Sequence, residues 1–177
     1  RTVTEYLRLP DDKIPKFIVL GPGPSKTDVL YALRLMDLMR RPCDLHVYET
    51  GDKRFRHAIC TYLGGVHYAP HRENLRIDPR AGNYDRLDKS EADVMISIHP
   101  DRTSEEILPV VLRNLRSGGL FIWQHDGDFE KEKPQDVLPR LLPRLNRDFI
   151  IRMVQPGPIF LTFFSAVVLK NLDSVVF

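Results

Sequence analysis

The chain has 177 residues, 42% hydrophobic and 28% charged, the size and composition of one ordinary globular domain with a proper core. Lys and Arg number 26 against 24 Asp and Glu, a formal charge of +2 with both signs scattered, so the charge balance does not demand nucleic acid as a partner. No apolar run approaches the ~20 residues that a membrane helix needs, and the longest, PIFLTFFSAVVL at 158–169, is interrupted by Thr162 and Ser165 and reads as a core strand.

Cys43 and Cys60 are the only cysteines, each in or beside an apolar segment, which fits reduced thiols in a cytoplasmic setting rather than a disulfide framework. The chain opens with Arg1 and shows no signal-peptide pattern, as expected of a processed product or an excised domain.

KFIVLG (16–21) is a short apolar run stopped by glycine, the pattern of a strand buried on both faces of a parallel sheet. From Thr27 to Arg40, Val29, Leu30, Leu33, Met36, Leu38 and Met39 recur at helical spacing, with Ser25 and Asp28 as a capping box and Pro42 as a stop. DLHVYE (44–49) is a second strand; Asp52 caps a helix running to Leu63, which Gly64 and Gly65 terminate. VHYA (66–69) is the candidate third strand, and 70–90, polar and carrying Pro79, Gly82 and Asn83, reads as a loop. ADVMISI (92–98) is the fourth strand. Thr103 and Glu106 form a second capping box before ILPVVLRNL, with Pro109 expected to kink that helix or delay its start. Gly118 and Gly119 should end the helix and lead into the strand LFIWQ (120–124). After an acidic, proline-spaced segment (125–147) with a weak helix, RDFIIRMV and IFLTFFSAVVLK, joined across QPGP, read as an antiparallel pair. The order defines an open α/β sheet with an antiparallel edge.

In open parallel sheets the ligand crevice lies outside the carboxyl ends of the strands. After the first strand comes Gly21-Pro22-Gly23-Pro24-Ser25, where glycine lets backbone approach a ligand and the next helix offers free N–H groups. After the second comes Glu49, 28 positions beyond Gly21, placed to accept two hydrogen bonds from a ribose diol. The dinucleotide pattern G-x-G-x-x-G lacks its third glycine, since position 26 is Lys, and no G-K-[ST] phosphate loop or G-x-S-x-G nucleophile elbow is present. No C-x-x-C or H-E-x-x-H spacing supports a metal set from Cys60, His67 and His71, or from His99, His125, Asp126 and Asp128.

Four stretches together resemble the class I S-adenosylmethionine-dependent methyltransferases: VLGPGPS for the glycine motif, VYE for the ribose-binding acid, ADVMISIHP for the fourth strand and its turn, and LRSGGLFIW for the passage into the fifth. The resemblance covers residues 16–171 and implies a doubly wound, mostly parallel seven-stranded sheet of order 3-2-1-4-5-7-6 with a C-terminal antiparallel β-hairpin. On that basis residues 1–15 are an N-terminal extension and 16–177 a single methyltransferase-like domain. The resemblance further implies S-adenosylmethionine as cofactor, with Gly21, Pro22, Gly23, Pro24 and Ser25 around its methionine part and Glu49 on its ribose. The turn from Ser97 to Asp101 would face the methyl group, leaving His99, Asp101, His125 and Asp126 as candidate catalytic groups.

Adenine contacts fall to the 70–90 loop, with Glu73, Asn74, Asp78 and Asp85 all open. The chain departs from the family at Val19, where an acid is usual two positions before the first glycine, and at Ser25, which replaces the third glycine. A non-catalytic scaffold or binding subunit of the same fold is therefore the alternative to an enzyme. The acceptor is not legible: a small molecule, a protein side chain and RNA stay open, with Arg72, Arg76, Arg80 and Arg86 as the feature that would suit an anionic one. A partner chain is another source of specificity.

Overall fold

The computed structural model of the protein describes residues 9, 12–21, 27–39, 42–48, 75–78, 87, 91–98, 104–126, 139–140, 143, 149–156 and 162–170. Among the described residues, strands β1 (Lys16–Leu20), β2 (Asp44–Tyr48), β3 (Leu75–Asp78), β4 (Ala92–Ser97), β5 (Leu115–Asp126), β6 (Phe149–Pro156) and β7 (Thr162–Lys170) form one sheet, with helices α1 (Thr27–Met39) and α2 (Ser104–Asn114) in the crossovers. The strand order is β3-β2-β1-β4-β5-β7-β6. β1 to β5 pair in parallel, and β7 runs antiparallel between β5 and β6. The turn proposed across QPGP lies in part, from 157 on, outside the described residues, as do the helix expected over 52–63 and the strand expected over 66–69.

β1 and β4 form the centre, and the alternation of their side chains divides the core between two layers. Phe17, Val19, Val94 and Ile96 face one side with Leu45, Val47, Leu120 and Ile122, and α1 covers them with Val29, Ala32, Leu33, Leu35 and Met36. Ile18, Leu20, Met95, Phe121 and Trp123 face the other side, where α2 packs Ile107, Leu108, Val110 and Val111. An all-apolar strand such as FIVL is stable only when both faces are covered, which is why its sequence lacks alternation. Leu38, assigned to the buried stripe of α1, is half exposed. With 3.6 residues per turn it falls about 180° around the helix from Val29, and Ala32 and Leu35 take the inner face instead.

Two expectations are corrected. The 70–90 segment contains β3, whose Leu75 and Ile77 stand in register with Leu45 and Val47 of β2. A four-residue edge strand that alternates apolar and charged residues looks like loop in a polar stretch. The second correction concerns Gly118 and Gly119, which lie inside β5 rather than at the end of α2. The helix ends at Asn114, whose side-chain amide donates to the Val110 carbonyl at 2.9 Å. The ladder with β4 then jumps from Ala92↔Leu115 to Val94↔Leu120, so extra residues of β5 bulge outward. Gly118 carries the bulge with a φ of 74°, and a Cβ on Gly119 would lie 2.7 Å from Leu115 Cδ1 and 2.9 Å from the Arg116 carbonyl oxygen. Helix α2 begins at Ser104 and continues through Pro109, so its start is not delayed.

The amino-terminal edge of the sheet closes on Asp93, a wholly buried carboxylate in β4. It accepts hydrogen bonds from Lys13 Nζ at 2.8 Å, from the Lys16 backbone N–H at 2.9 Å and from Arg116 Nε. Asp93→Ala should cost about 3 kcal/mol, since it strands two cations and a backbone donor. The measurement is denaturant unfolding followed by Trp123, the sole tryptophan and 1% exposed, whose emission should red-shift cooperatively at a lower midpoint in the variant.

Candidate functional site

The carboxyl ends of β1, β2 and β4 converge at one edge of the sheet. Gly21, the residue after β1, adopts a φ of 53°, the left-handed region that favours glycine. Its backbone N–H donates to the Tyr48 carbonyl at 2.8 Å, so the chain turns upward while still tied to the end of β2. α1 starts beyond that turn. Asp28, in its first turn, is fully buried, and its Oδ2 accepts the Ile98 backbone N–H at 2.7 Å. One carboxylate therefore joins the segment after β1 to the segment after β4, 70 positions apart.

Ser97 closes β4. It is fully buried, and its Oγ has no hydrogen-bond partner among the described residues. Its register partner on β5 is Trp123. On β2, His46 Nε2 lies 3.2 Å from Asp44 Oδ2 and stacks on Tyr48, a row along the strand rather than at its end.

Of the residues assigned to the site from sequence, Gly21 directly follows β1 at the carboxyl edge of the sheet, whereas Pro22, Gly23, Pro24, Ser25, Glu49, His99 and Asp101 fall outside the described residues. His125 and Asp126 are the last two residues of β5 rather than residues beyond it; they pair with Phe164 and Thr162 of β7, with a register shift between them. Asp78, one of the adenine candidates, ends β3 opposite Tyr48. Val19 is buried in β1 between Val47 and Ile96, inside the apolar layer under α1. Sequence reasoning missed the cross-link by Asp28. Its spacing from Ser25 reads as a capping box, and no local signal announces a bond to a residue so distant in the chain. Among the described residues no group of three or more His, Cys, Asp and Glu is placed to hold a metal ion, and no helix is long and apolar enough to cross a membrane.

No protein-family model matches the chain, and none of the curated proteins is similar to it in sequence. Solved structures are similar in fold. Precorrin-6y C5,15-methyltransferase from Geobacter metallireducens GS-15 superposes with a TM-score of 0.59 at 14% identity, over 94% of this chain and 85% of that one. The fibrillarin pre-rRNA processing protein of Methanococcus jannaschii gives 0.64 at 14% identity, over 92% and 69%. The ribosomal protein L11 methylase of Lactobacillus delbrueckii subsp. bulgaricus gives 0.61 at 12%, over 95% and 76%. The chain thus has the Rossmann-like α/β fold of the class I S-adenosylmethionine-dependent methyltransferases.

Asp28→Ala removes a charged acceptor from a buried N–H and should destabilise the fold by about 2 kcal/mol, with Asp28→Asn losing less because an amide oxygen still accepts; chemical denaturation measures both. Farther along α1, burial pushes the Tyr31 phenol above its ordinary 10.0. A raised value in the folded state means that the folded protein holds this proton more tightly, so the contribution is complete below pH 10 and fades as pH rises through the folded value. Stability profiles of wild type and Tyr31→Phe should therefore run parallel below pH 10, and above it wild type should lose stability relative to the variant.

Proposed function

We propose that the protein binds S-adenosylmethionine at the carboxyl edge of β1, β2 and β4 and transfers its methyl group to an acceptor. The observation that carries this reading is the Gly21 turn, held by hydrogen bond to the end of β2, in a fold whose solved structural neighbours include methyltransferases. Two observations fit such a ligand: the left-handed turn at Gly21, and the buried Ser97 hydroxyl at the end of the neighbouring strand β4, which has no hydrogen-bond partner among the described residues. The cofactor, when bound, supplies an electrophilic methyl on a sulfonium. Gly21, Pro22, Gly23, Pro24 and Ser25 hold its methionine part in main-chain contacts, and Glu49 accepts hydrogen bonds from the ribose hydroxyls. His99, Asp101, His125 and Asp126 are the groups from which the base that removes a proton from the acceptor is drawn. Neither a metal nor a covalent enzyme intermediate is required. The working unit is one domain over 16–177 with an N-terminal extension over 1–15, in the cytoplasm, acting on a small molecule, a protein or RNA, with or without a partner chain.

A second reading is supported by Val19, which puts an apolar side chain into the packed layer under α1 at the position where the family carries an acid. In that reading the chain is a non-catalytic scaffold or binding subunit.

Calorimetric titration with S-adenosylmethionine and S-adenosylhomocysteine separates the two. The enzyme reading expects saturable heat, with affinity at least about 10-fold weaker in Glu49→Ala, the loss of a charge-assisted bond to the sugar. Absence of heat at millimolar ligand would leave the scaffold reading standing. Once an acceptor is known, His99→Ala and His125→Ala should bind cofactor normally, and at least one should lose turnover; full turnover in both removes the histidines from the mechanism.

A further inference from the structure

Among the described residues the exposed large apolar side chains are Ile14, Tyr31 and Leu38, and two of these stand on α1. Residues seven apart on a helix lie about 20° apart around its axis, so Tyr31 (39% exposed) and Leu38 (50%) share one stripe, two turns apart. Arg34, exposed, falls between them along the helix and about 60° round from Tyr31; Asp37, also exposed, lies about 60° farther in the same direction. This is the side of α1 opposite Val29, Ala32, Leu33 and Met36, which pack on the sheet. A lone exposed apolar residue is ordinary, but two in one stripe with a charged pair between them make a contact patch.

The patch is complementary to itself when reversed, with apolar residues at its two ends and opposite charges between them. Set two such helices antiparallel about a two-fold axis level with Leu35. At a rise of about 1.5 Å per residue, Tyr31 of one copy then lies about 1.5 Å along the axis from Leu38 of the second, and Arg34 about 1.5 Å from Asp37 of the second. The symmetry makes each pairing twice. A parallel pair would instead set Arg34 against Arg34 and Asp37 against Asp37, where like charges repel. We propose that α1 is the contact helix of a homodimer, with α1 of a second copy packed on it antiparallel in this register. A 13-residue helix is about 20 Å long, so the contact belongs at the small end of specific interfaces, below about 1,200 Å², and the dimer forms at micromolar concentration or above. The pairing does not depend on the cofactor reading. α1 runs back from the crevice, and antiparallel packing carries the two crevices to opposite ends of the contact.

Sedimentation equilibrium of the whole chain tests this. Between about 1 and about 300 μM the average mass of wild type should climb from that of a monomer toward twice that value. Leu38→Glu, Arg34→Glu and Asp37→Arg, all at exposed positions, should each weaken association at least about 10-fold while leaving the helical circular dichroism unchanged. The decisive arm is a mixture. Arg34→Glu and Asp37→Arg each set like charges across the two-fold, but combined in equal amounts they set opposite charges there, so the mixture should associate within about 3-fold of wild type. Wild type that stays monomeric throughout overturns the proposal, as does a dimer that none of the three substitutions weakens. Single variants that dissociate but whose mixture stays monomeric overturn the antiparallel register and the proposal with it.

Discussion

A carboxylate with no access to water must be met by donors, and Asp93 is met by three. They come from the segment before β1, from the first residue of β1 and from β5. An ionised carboxylate left unpaired in that position would be among the most costly groups a domain can bury. The three donors therefore have to arrive together, which sets β1 and β5 on either side of β4 at a common level. Asp28 acts on the same strand from the other direction. It belongs to α1, yet its oxygen holds the backbone directly after β4. β4 is thus fastened at its foot by its own acid and just past its head by one from a helix, and the apolar residues between them are packed on both faces.

This arrangement explains where polar chemistry can collect. The interior rows of the sheet are aliphatic and aromatic, so no ligand enters there. Polar groups gather at the carboxyl edge, where strands stop and the backbone turns away from its ladder. Gly21 is held there in a conformation that side chains disfavour, and the hydroxyl of Ser97 lies one strand over. Val19 belongs to the layer just below. Its burial between two other aliphatic residues means that an acid in its place would need a partner that this packing does not offer.

The central layers were legible because their physics is local. FIVL and VMI are too uniformly apolar to be anything but strands covered on both sides, and the α1 pattern has helical period. The edge was harder to see. LRID is short, and half of it is charged. The Gly-Gly pair in β5 reads as a helix stop because glycine usually marks one. Here it serves a bulge whose need arises only from β4 lying alongside, a contact between residues distant in the chain. The same holds for the site. A glycine after a strand announces a turn, but the bonds from Asp28 to Ile98 and from Gly21 to Tyr48 depend on which strands become neighbours, and local pattern does not encode that.

The central pairing also bears on how the molecule is made. Phe17 of β1 lies beside Val94 of β4, 77 residues later in the chain. At roughly 5 to 20 residues per second, a ribosome needs roughly 4 to 15 s to supply the second strand after the first has been synthesised. Throughout that interval FIVL has at most one of its two eventual neighbours, and its free edge presents unpaired amides beside a wholly apolar surface. The nascent polypeptide therefore passes through a stage in which its most adhesive segment is half sheltered, a stage suited to a holding chaperone.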